Sequence, residues 1–211
     1  MSSTYAETVR ALLLARDNAT LVPLLEQRVK EGSATESEHL LCGALLLMPP
    51  FVDDEAARAV FGGVQGPRRF EAAVWDAYRF AVLTPEHDEG FMDTLRAHRS
   101  SAVAAYMLSK VADMVGDLPR AREERHRSLR LRPIPFDVIQ VLRRDPLEPD
   151  QKLELWRTLQ DLMLSVNVEL EPPATTIEGS LQRLWDNLIV GTRVTSVLWE
   201  HYASAFRSLG P

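Results

Sequence analysis

The sequence predicts an all-α protein made of stacked antiparallel helical hairpins, with about 11 to 12 helices in total. Leucine and alanine dominate the long segments, and only 7% of the 211 residues are aromatic, which favours helices packed on helices over a sheet. Apolar residues recur at steps of three and four along most of the chain, so they fall on one side of a helix. Runs of alternating β-branched residues are nearly absent.

Helix start and stop signals divide the first half of the chain into six helices. Two helices open with a capping box, in which a threonine and the glutamate three positions later satisfy free amides of the first turn. The two boxes are Thr4 with Glu7 and Thr35 with Glu38. Proline pairs, glycine pairs and acidic first turns supply the other boundaries. The expected spans are about 4–17, 19–30, 35–48, 53–62, 70–82 and 84–95.

The same signals predict six more helices in the second half. Asp145 with Glu148, and Thr175 with Glu178, have the spacing of a capping box. The expected spans are about 102–115, 118–132, 136–144, 146–163, 176–189 and 194–209. Helix pairs therefore begin at intervals of roughly 30 to 40 residues. Six hairpins account for a single domain of residues 1–211, with a looser junction near residues 169–175.

The stretch from Ala102 to Pro133 carries the most specific pattern. It holds a leucine, small residues, a turn glycine, an alanine and a closing proline at regular positions: Leu108, Ser109, Ala112, Gly116, Ala121, Ser128 and Pro133. This register resembles that of a tetratricopeptide repeat, a helix-turn-helix unit of about 34 residues. Three positions depart from the family pattern, which often has tryptophan, tyrosine and a large apolar residue there: Ala105, Ala112 and Arg125.

The resemblance implies a concave groove that binds peptides and is lined by the first helix of each hairpin. Carried onto this unit, it places toward the groove three side chains opposite the apolar stripe that contains Leu108 and Val115. The fifth helix extends the same surface, and a basic side chain of the second repeat helix contributes charge to it. The six residues predicted to contact a partner are Trp75, Arg79, Tyr106, Lys110, Asp113 and Arg125.

Charge is unevenly distributed around the formal net value of −6. Residues 101–144 hold nine basic and five acidic side chains, a surplus of four positive charges between acidic flanks. Residues 120–132 alone contain six arginines. One interpretation is a solvated helix face with four-residue ion pairs. The alternative is recognition of carboxylates or phosphates on a partner. Nucleic acid is disfavoured, because no aromatic residue interleaves the arginines.

Catalytic chemistry has weak support in the sequence. Residues 86–89 are Glu, His, Asp and Glu, but consecutive residues of a helix point in different directions, and an acidic first turn explains them. A metal-dependent enzyme remains the alternative, with His87, Asp93 and His98 around the ion. No zinc-protease pattern, nucleophile elbow or phosphate loop occurs in the sequence. We therefore expect neither a cofactor nor a metal.

The remaining features favour a cytosolic protein that binds other proteins. The only cysteine, Cys42, lies in an apolar helical run and cannot form an intrachain disulfide. Residues 40–52 form the longest apolar run, which is too short to span a membrane. The predicted role is non-catalytic binding of a peptide or protein with acidic groups, as an adaptor, a chaperone-like holder or a neutraliser of a toxin. Apolar residues near the C-terminus, Val197, Leu198 and Phe206, leave a homodimer open.

Overall fold

A computed structural model describes residues 4–83, 88–165, 167–168, 173–191, 193–194 and 196–209. Over these residues the all-α prediction is confirmed, with twelve α-helices. Their bounds are α1 Tyr5–Ala15, α2 Asn18–Lys30, α3 Glu36–Leu46, α4 Asp54–Gly62, α5 Arg69–Val82, α6 Glu89–Ala97, α7 Ala102–Met114, α8 Leu118–Leu131, α9 Pro135–Arg144, α10 Pro149–Ser165, α11 Ile177–Leu184 and α12 Ser196–Leu209. A π-helical segment, Trp185–Val190, follows α11, and β1 Asn167–Val168 pairs in parallel with β2 Arg193–Val194.

The contacts divide the chain into two compact units. Unit 1 comprises residues 1–94 and 171–184, and unit 2 comprises residues 95–170 and 185–211. The single domain and the solenoid arrangement of the hairpins stay predictions. The junction expected near residues 169–175 falls partly on residues 169–172, which lie outside the described part of the chain. None of the described helices is both long enough and apolar enough to cross a membrane.

Both capping boxes in unit 1 form as predicted. Thr4 Oγ1 accepts a hydrogen bond from the Glu7 amide at 3.3 Å, and the Glu7 carboxylate accepts one from the Thr4 amide at 2.8 Å. Thr35 and Glu38 make the same reciprocal pair at the start of α3. Short polar side chains therefore set these two helix starts locally. At α3 the Glu38 carboxylate also accepts hydrogen bonds from Tyr5 and from Arg28 Nε, the latter at 2.9 Å.

The turn between α7 and α8 also follows the local prediction. Gly116 has φ of +80°, a left-handed conformation that glycine adopts without the clash a Cβ would cause. Asp117 then accepts a hydrogen bond from the Arg120 amide at 3.2 Å and caps α8. The two helices can therefore reverse direction within three residues, which brings α7 and α8 side by side.

Three predicted helix starts differ from the structure or lie outside it. At α11 the cap is Thr176, whose Oγ1 accepts a hydrogen bond from the Gly179 amide at 3.0 Å, so the predicted box of Thr175 with Glu178 is wrong. The predicted box at Asp145 is wrong, because α10 begins at Pro149 and the Asp145 carboxylate instead binds Arg125 of α8. A long-range ion pair thus replaces the local cap that the spacing indicates. The predicted start of the sixth helix at residues 84–86 lies outside the described residues, and α6 is described from Glu89.

Unit 1 is built around α3, which packs against α2, α4, α5 and α11. Eight of its eleven residues are buried, so this helix is apolar on nearly every side. Leu40 and Leu41 are fully buried, and Gly43 faces the ring of Phe61 on α4. The absence of a side chain at Gly43 is what lets α4 approach α3 so closely.

Segment α11 joins unit 1 from far along the chain. Arg68 Nη1 lies 2.9 Å from Glu178 Oε1, and Ser37 of α3 donates a hydrogen bond to the same carboxylate. Glu178 is largely exposed, so this pair contributes at most about 1 kcal/mol. Burial of Leu181 adds the apolar contribution that holds the segment.

Unit 2 has an apolar core formed by α9, α10 and α12. The buried residues of this core are Val138, Ile139, Leu142, Leu159 and Tyr202. The α7–α8 hairpin lies beside this core, and its second helix, α8, contacts α9. The amphipathic α9 thus carries apolar residues toward α10 and α12, and it also supplies the buried Asp137.

The Gly43 contact predicts a specific stability change. In Gly43→Ala the new methyl group would collide with the Phe61 ring. Overpacking typically costs about 1–3 kcal/mol and outweighs the gain of about 0.5–1 kcal/mol from replacing a helical glycine. We expect a net loss of about 1 kcal/mol or more in the free energy of unfolding, measured by urea denaturation. Gly62→Ala is the control, because its Cβ would meet open space, and equal losses for both variants would contradict the interpretation.

Candidate functional site

A cavity of about 510 Å³ in unit 2 is the candidate site. Charged side chains from one face of α8 form most of its lining. The end of α6 and the turn that follows add two more, and α7 closes one side with an apolar residue. The lining residues are Arg96, Arg99, Leu108, Arg120, Glu123, Glu124, Arg127 and Arg130.

Helical spacing explains why α8 supplies five of these residues. Steps of three and four bring side chains to the same face of a helix, and Arg120, Glu123, Glu124, Arg127 and Arg130 are separated by such steps. The face that they form carries three guanidinium groups and two carboxylates. The arginine run of the sequence therefore contains two sets of side chains that point in different directions.

The cavity lining carries five arginines and two glutamates, a surplus of three positive charges. The exposed side chains of Arg99, Arg120 and Arg130 form no ion pair with any carboxylate of the described part of the chain. Guanidinium groups stay protonated at any physiological pH. The site is consequently a cationic depression in a chain that is acidic as a whole.

One ion pair forms inside the cavity lining. Glu124 Oε2 lies 2.7 Å from Arg127 Nη2, and the two side chains are 15% and 24% exposed. The two atoms do not have the alignment of a regular hydrogen bond, so charge attraction is the main interaction between them. Burial raises the pKa of Glu124, and the positive charges of Arg127 and Arg120 partly offset this shift. Arg127 Nε is buried and donates no hydrogen bond within the described residues.

The opposite face of α8 is anchored by a buried arginine. Arg125 Nη1 donates to both oxygens of Asp113 on α7, at 3.0 and 2.9 Å, and its Nη2 donates to Asp145 Oδ1 at 2.7 Å. Arg144 Nη1 adds a bond to Asp113 Oδ2 at 3.0 Å. Because the charges are both paired and hydrogen-bonded, this cluster fixes the rotation of α8 about its axis. That rotation determines which arginines face the cavity.

A buried carboxylate lies next to this cluster. Asp137 of α9 is fully buried, and neither of its oxygens has a hydrogen-bond partner in the described residues. Burial raises the pKa of Asp137 to about 7, while Ser128, Arg125 and Lys110 nearby partly offset the shift. Burial likewise lowers the pKa of Lys110, whose Nζ lies 4.9 Å from the centre of the Tyr106 ring.

Four of the six predicted partner-contacting side chains are buried. Trp75, Arg79 and Tyr106 are 1%, 0% and 2% exposed, and Arg125 is bound in the ion cluster. The expectation that these four line an open groove is therefore wrong. Asp113 is engaged in the same cluster as Arg125. Lys110 is half-buried beside Tyr106.

The physical reason is that α5 and α7 are covered on more than one face. A single apolar stripe predicts that the opposite face is exposed, but eight residues of each helix are buried. Arg79 Nε donates to Asp76 Oδ1 at 2.9 Å and Nη1 donates to Asp54 Oδ1 at 2.8 Å, which satisfies its charge within unit 1. Conversely, Val115, which belongs to the predicted apolar stripe, is exposed, and so is its neighbour Met114.

The sequence interpretation missed Arg96 and Arg99 as site residues. They lie before the repeat-like unit, at the end of α6 and in the turn after it. Their three-residue spacing and their position just upstream of α7 are the signals that could have indicated them. The pairing of this turn with the α8 face is a tertiary feature without a local pattern.

The described residues contain no group of three or more His, Cys, Asp or Glu side chains that could hold a metal ion. His87 of the predicted metal site lies outside the described residues. Asp93 and His98 belong to α6 and the turn after it. A metal site that includes His87 therefore stays a hypothesis.

Comparison of the chain with protein-family models, with curated proteins and with solved structures found no match. The similarity of residues 102–133 to a tetratricopeptide repeat therefore stays a resemblance.

Replacement of Arg125 is expected to destabilise unit 2. In Arg125→Met, the carboxylates of Asp113 and Asp145 lose their main buried partner, and breaking one side of such a cluster typically costs about 3–5 kcal/mol. Urea denaturation should show this loss in the free energy of unfolding. Arg122→Met, on the exposed side of α8, removes the same charge and should leave stability near the wild-type value. A wild-type value for Arg125→Met would contradict the anchoring role.

The buried Asp137 is expected to make stability fall as pH rises. Between the ordinary aspartate pKa of 3.8 and the folded value of about 7, the folded chain holds a proton that the unfolded chain has lost. Folding is therefore progressively disfavoured across this window, and the cost is complete above it. At pH 8, Asp137→Asn should be more stable than the wild type by roughly 2–4 kcal/mol, because it lacks the buried charge.

Urea denaturation of both proteins from pH 4 to pH 8 measures this effect. The advantage of Asp137→Asn should shrink toward zero at pH 4. Asp161→Asn on the exposed side of α10 is the matched control and should follow the wild-type curve. A constant difference at every pH would exclude ionisation of Asp137 as the cause.

Proposed function

We propose that the protein is a non-catalytic binding module that captures an acidic segment of another protein at the cavity between α6, α7 and α8. The observation that carries this proposal is the convergence of five arginines and only two glutamates on about 510 Å³. A guanidinium group binds a carboxylate through two parallel hydrogen bonds. Several arginines in one cavity therefore favour a ligand with several carboxylates.

The cavity dimensions support a peptide segment as the ligand. A volume of about 510 Å³ is within the usual range for small-ligand pockets and accommodates a few side chains. Exposed Arg99, Arg120 and Arg130 can move to meet a ligand, since they form no ion pair within the described residues. Leu108 adds one apolar contact for the stem of an acidic side chain.

Nucleic acid is the less favoured ligand for two reasons. None of the eight lining side chains is aromatic, so bases would find no surface on which to stack. Glu123 and Glu124 would also repel a continuous phosphate backbone, and the chain as a whole has a net charge of −6. An adaptor, a chaperone-like holder and a neutraliser of a toxin are all roles that such a module could perform.

Binding of a labelled peptide tests the proposal directly. Fluorescence anisotropy would compare fluorescein-labelled hexaglutamate with hexaglutamine. We expect saturable binding of hexaglutamate alone, which weakens as salt rises because screening reduces the attraction between exposed charges. The double variant Arg99→Gln/Arg130→Gln should weaken binding about tenfold or more, through loss of two charged hydrogen-bond donors.

Arg10→Gln/Arg157→Gln is the matched control, because it changes the net charge equally at exposed positions outside the cavity lining. Its affinity for hexaglutamate should stay within about twofold of the wild type. Equal losses of hexaglutamate affinity in the two double variants would show that binding depends only on the overall charge of the protein and not on the cavity. Absence of hexaglutamate binding would refute the proposal, and tighter binding of a single-stranded oligonucleotide at equal salt would replace it with nucleic-acid recognition.

A further inference from the structure

We infer that Glu124 is a specificity-determining residue of this cavity, which keeps Arg127 occupied and so admits only ligands with several clustered acidic groups. This inference rests on the proposed function. The site discriminates between anions by the number of charges that each anion presents together, and Glu124 is the internal carboxylate responsible.

The geometry makes Glu124 resemble a ligand carboxylate. Its Oε2 lies 2.7 Å from Arg127 Nη2, yet the pair lacks hydrogen-bond alignment. Arg127 Nε is buried at the same place and has no partner in the described residues. A carboxylate from outside could bind Nε and Nη2 together in the bidentate geometry that guanidinium groups favour. The internal pair thus leaves part of the binding capacity of Arg127 unused.

The environment of Glu124 makes its carboxylate replaceable. Burial disfavours the charged form of Glu124 more than the charges of Arg127 and Arg120 favour it, and the charge of Glu123 disfavours it further. Release of the Glu124 side chain into water would restore its hydration. The carboxylate is therefore held against Arg127 but is not bound at full strength.

Replacement requires more than one charge on the ligand. A ligand with a single carboxylate exchanges one carboxylate for another at Arg127, so the number of ion pairs does not increase. A ligand with clustered carboxylates gains contacts to Arg99, Arg120 and Arg130 at the same time, and these contacts have no internal competitor among the described residues. The number of clustered charges thus separates ligands that bind from ligands that do not.

Glu123 provides a matched control within the same helix face. It lines the cavity, carries the same charge and precedes Glu124 directly, but it forms no ion pair with an arginine in the described residues. Replacement by glutamine changes the net charge of the cavity equally at either position. A difference between the two variants therefore reports the contact with Arg127.

The test uses anisotropy with two fluorescein-labelled six-residue peptides: hexaglutamate, and a glutamine peptide with a single central glutamate. Glu124→Gln should bind hexaglutamate about threefold to tenfold more tightly than the wild type, and it should also bind the single-glutamate peptide measurably. Glu123→Gln should gain less than about twofold, from charge alone. In a protein that already carries Arg127→Gln, adding Glu124→Gln should raise the affinity for hexaglutamate by no more than adding Glu123→Gln does.

Two results would overturn the inference while leaving the proposed function intact: equal gains in Glu124→Gln and Glu123→Gln, or a full Glu124→Gln gain in the Arg127→Gln background. Failure of both the wild type and Glu124→Gln to bind hexaglutamate would instead refute the proposed function. Thermal unfolding of every variant, followed by circular dichroism, identifies any that does not fold. The single variants at positions 123 and 124 carry the comparison if Arg127→Gln is one of these.

Discussion

The orientation of α8 depends on the buried ion cluster around Arg125. Three helices or helix ends meet in it, because Asp113 belongs to α7 and Asp145 follows α9. Such a cluster need not stabilise the fold more than apolar residues would, since desolvation of the charges offsets much of their attraction. Its geometry is nevertheless specific, because each hydrogen bond has a required direction. The cluster thus sets α8 in one rotation, and that rotation determines which five α8 side chains line the cavity.

Arginine therefore has two separate functions on one helix. Arg125 is buried and fully engaged with carboxylates, whereas Arg120, Arg127 and Arg130 form the cationic wall of the cavity. The charge of Arg125 is neutralised by carboxylates within unit 2. The charges of the arginines in the cavity wall are only partly neutralised, by Glu124 and Glu123. Basic residues of similar appearance in the sequence thus contribute either to folding or to an exposed electrostatic surface.

Local signals predicted the helices well and the site poorly. The capping boxes at Thr4 and Thr35 and the glycine turn at Gly116 depend on atoms within four residues, so the sequence identifies them. Exposure depends on what packs against each face. Tyr106 and Arg79 lie opposite apolar stripes and are nevertheless buried, because neighbouring segments cover both faces of their helices. The predicted groove residues were mostly wrong for this reason.

By itself the sequence determined the helical fold class, most helix boundaries and the basic character of residues 101–144, because hydrogen bonds within a turn and the spacing of apolar residues are local properties. Only the tertiary structure decided which arginines are buried, how Arg96 and Arg99 join the α8 face, and that Glu124 pairs with Arg127 on that face. These outcomes depend on the packing and rotation of whole helices, which are set by contacts between residues far apart in the chain.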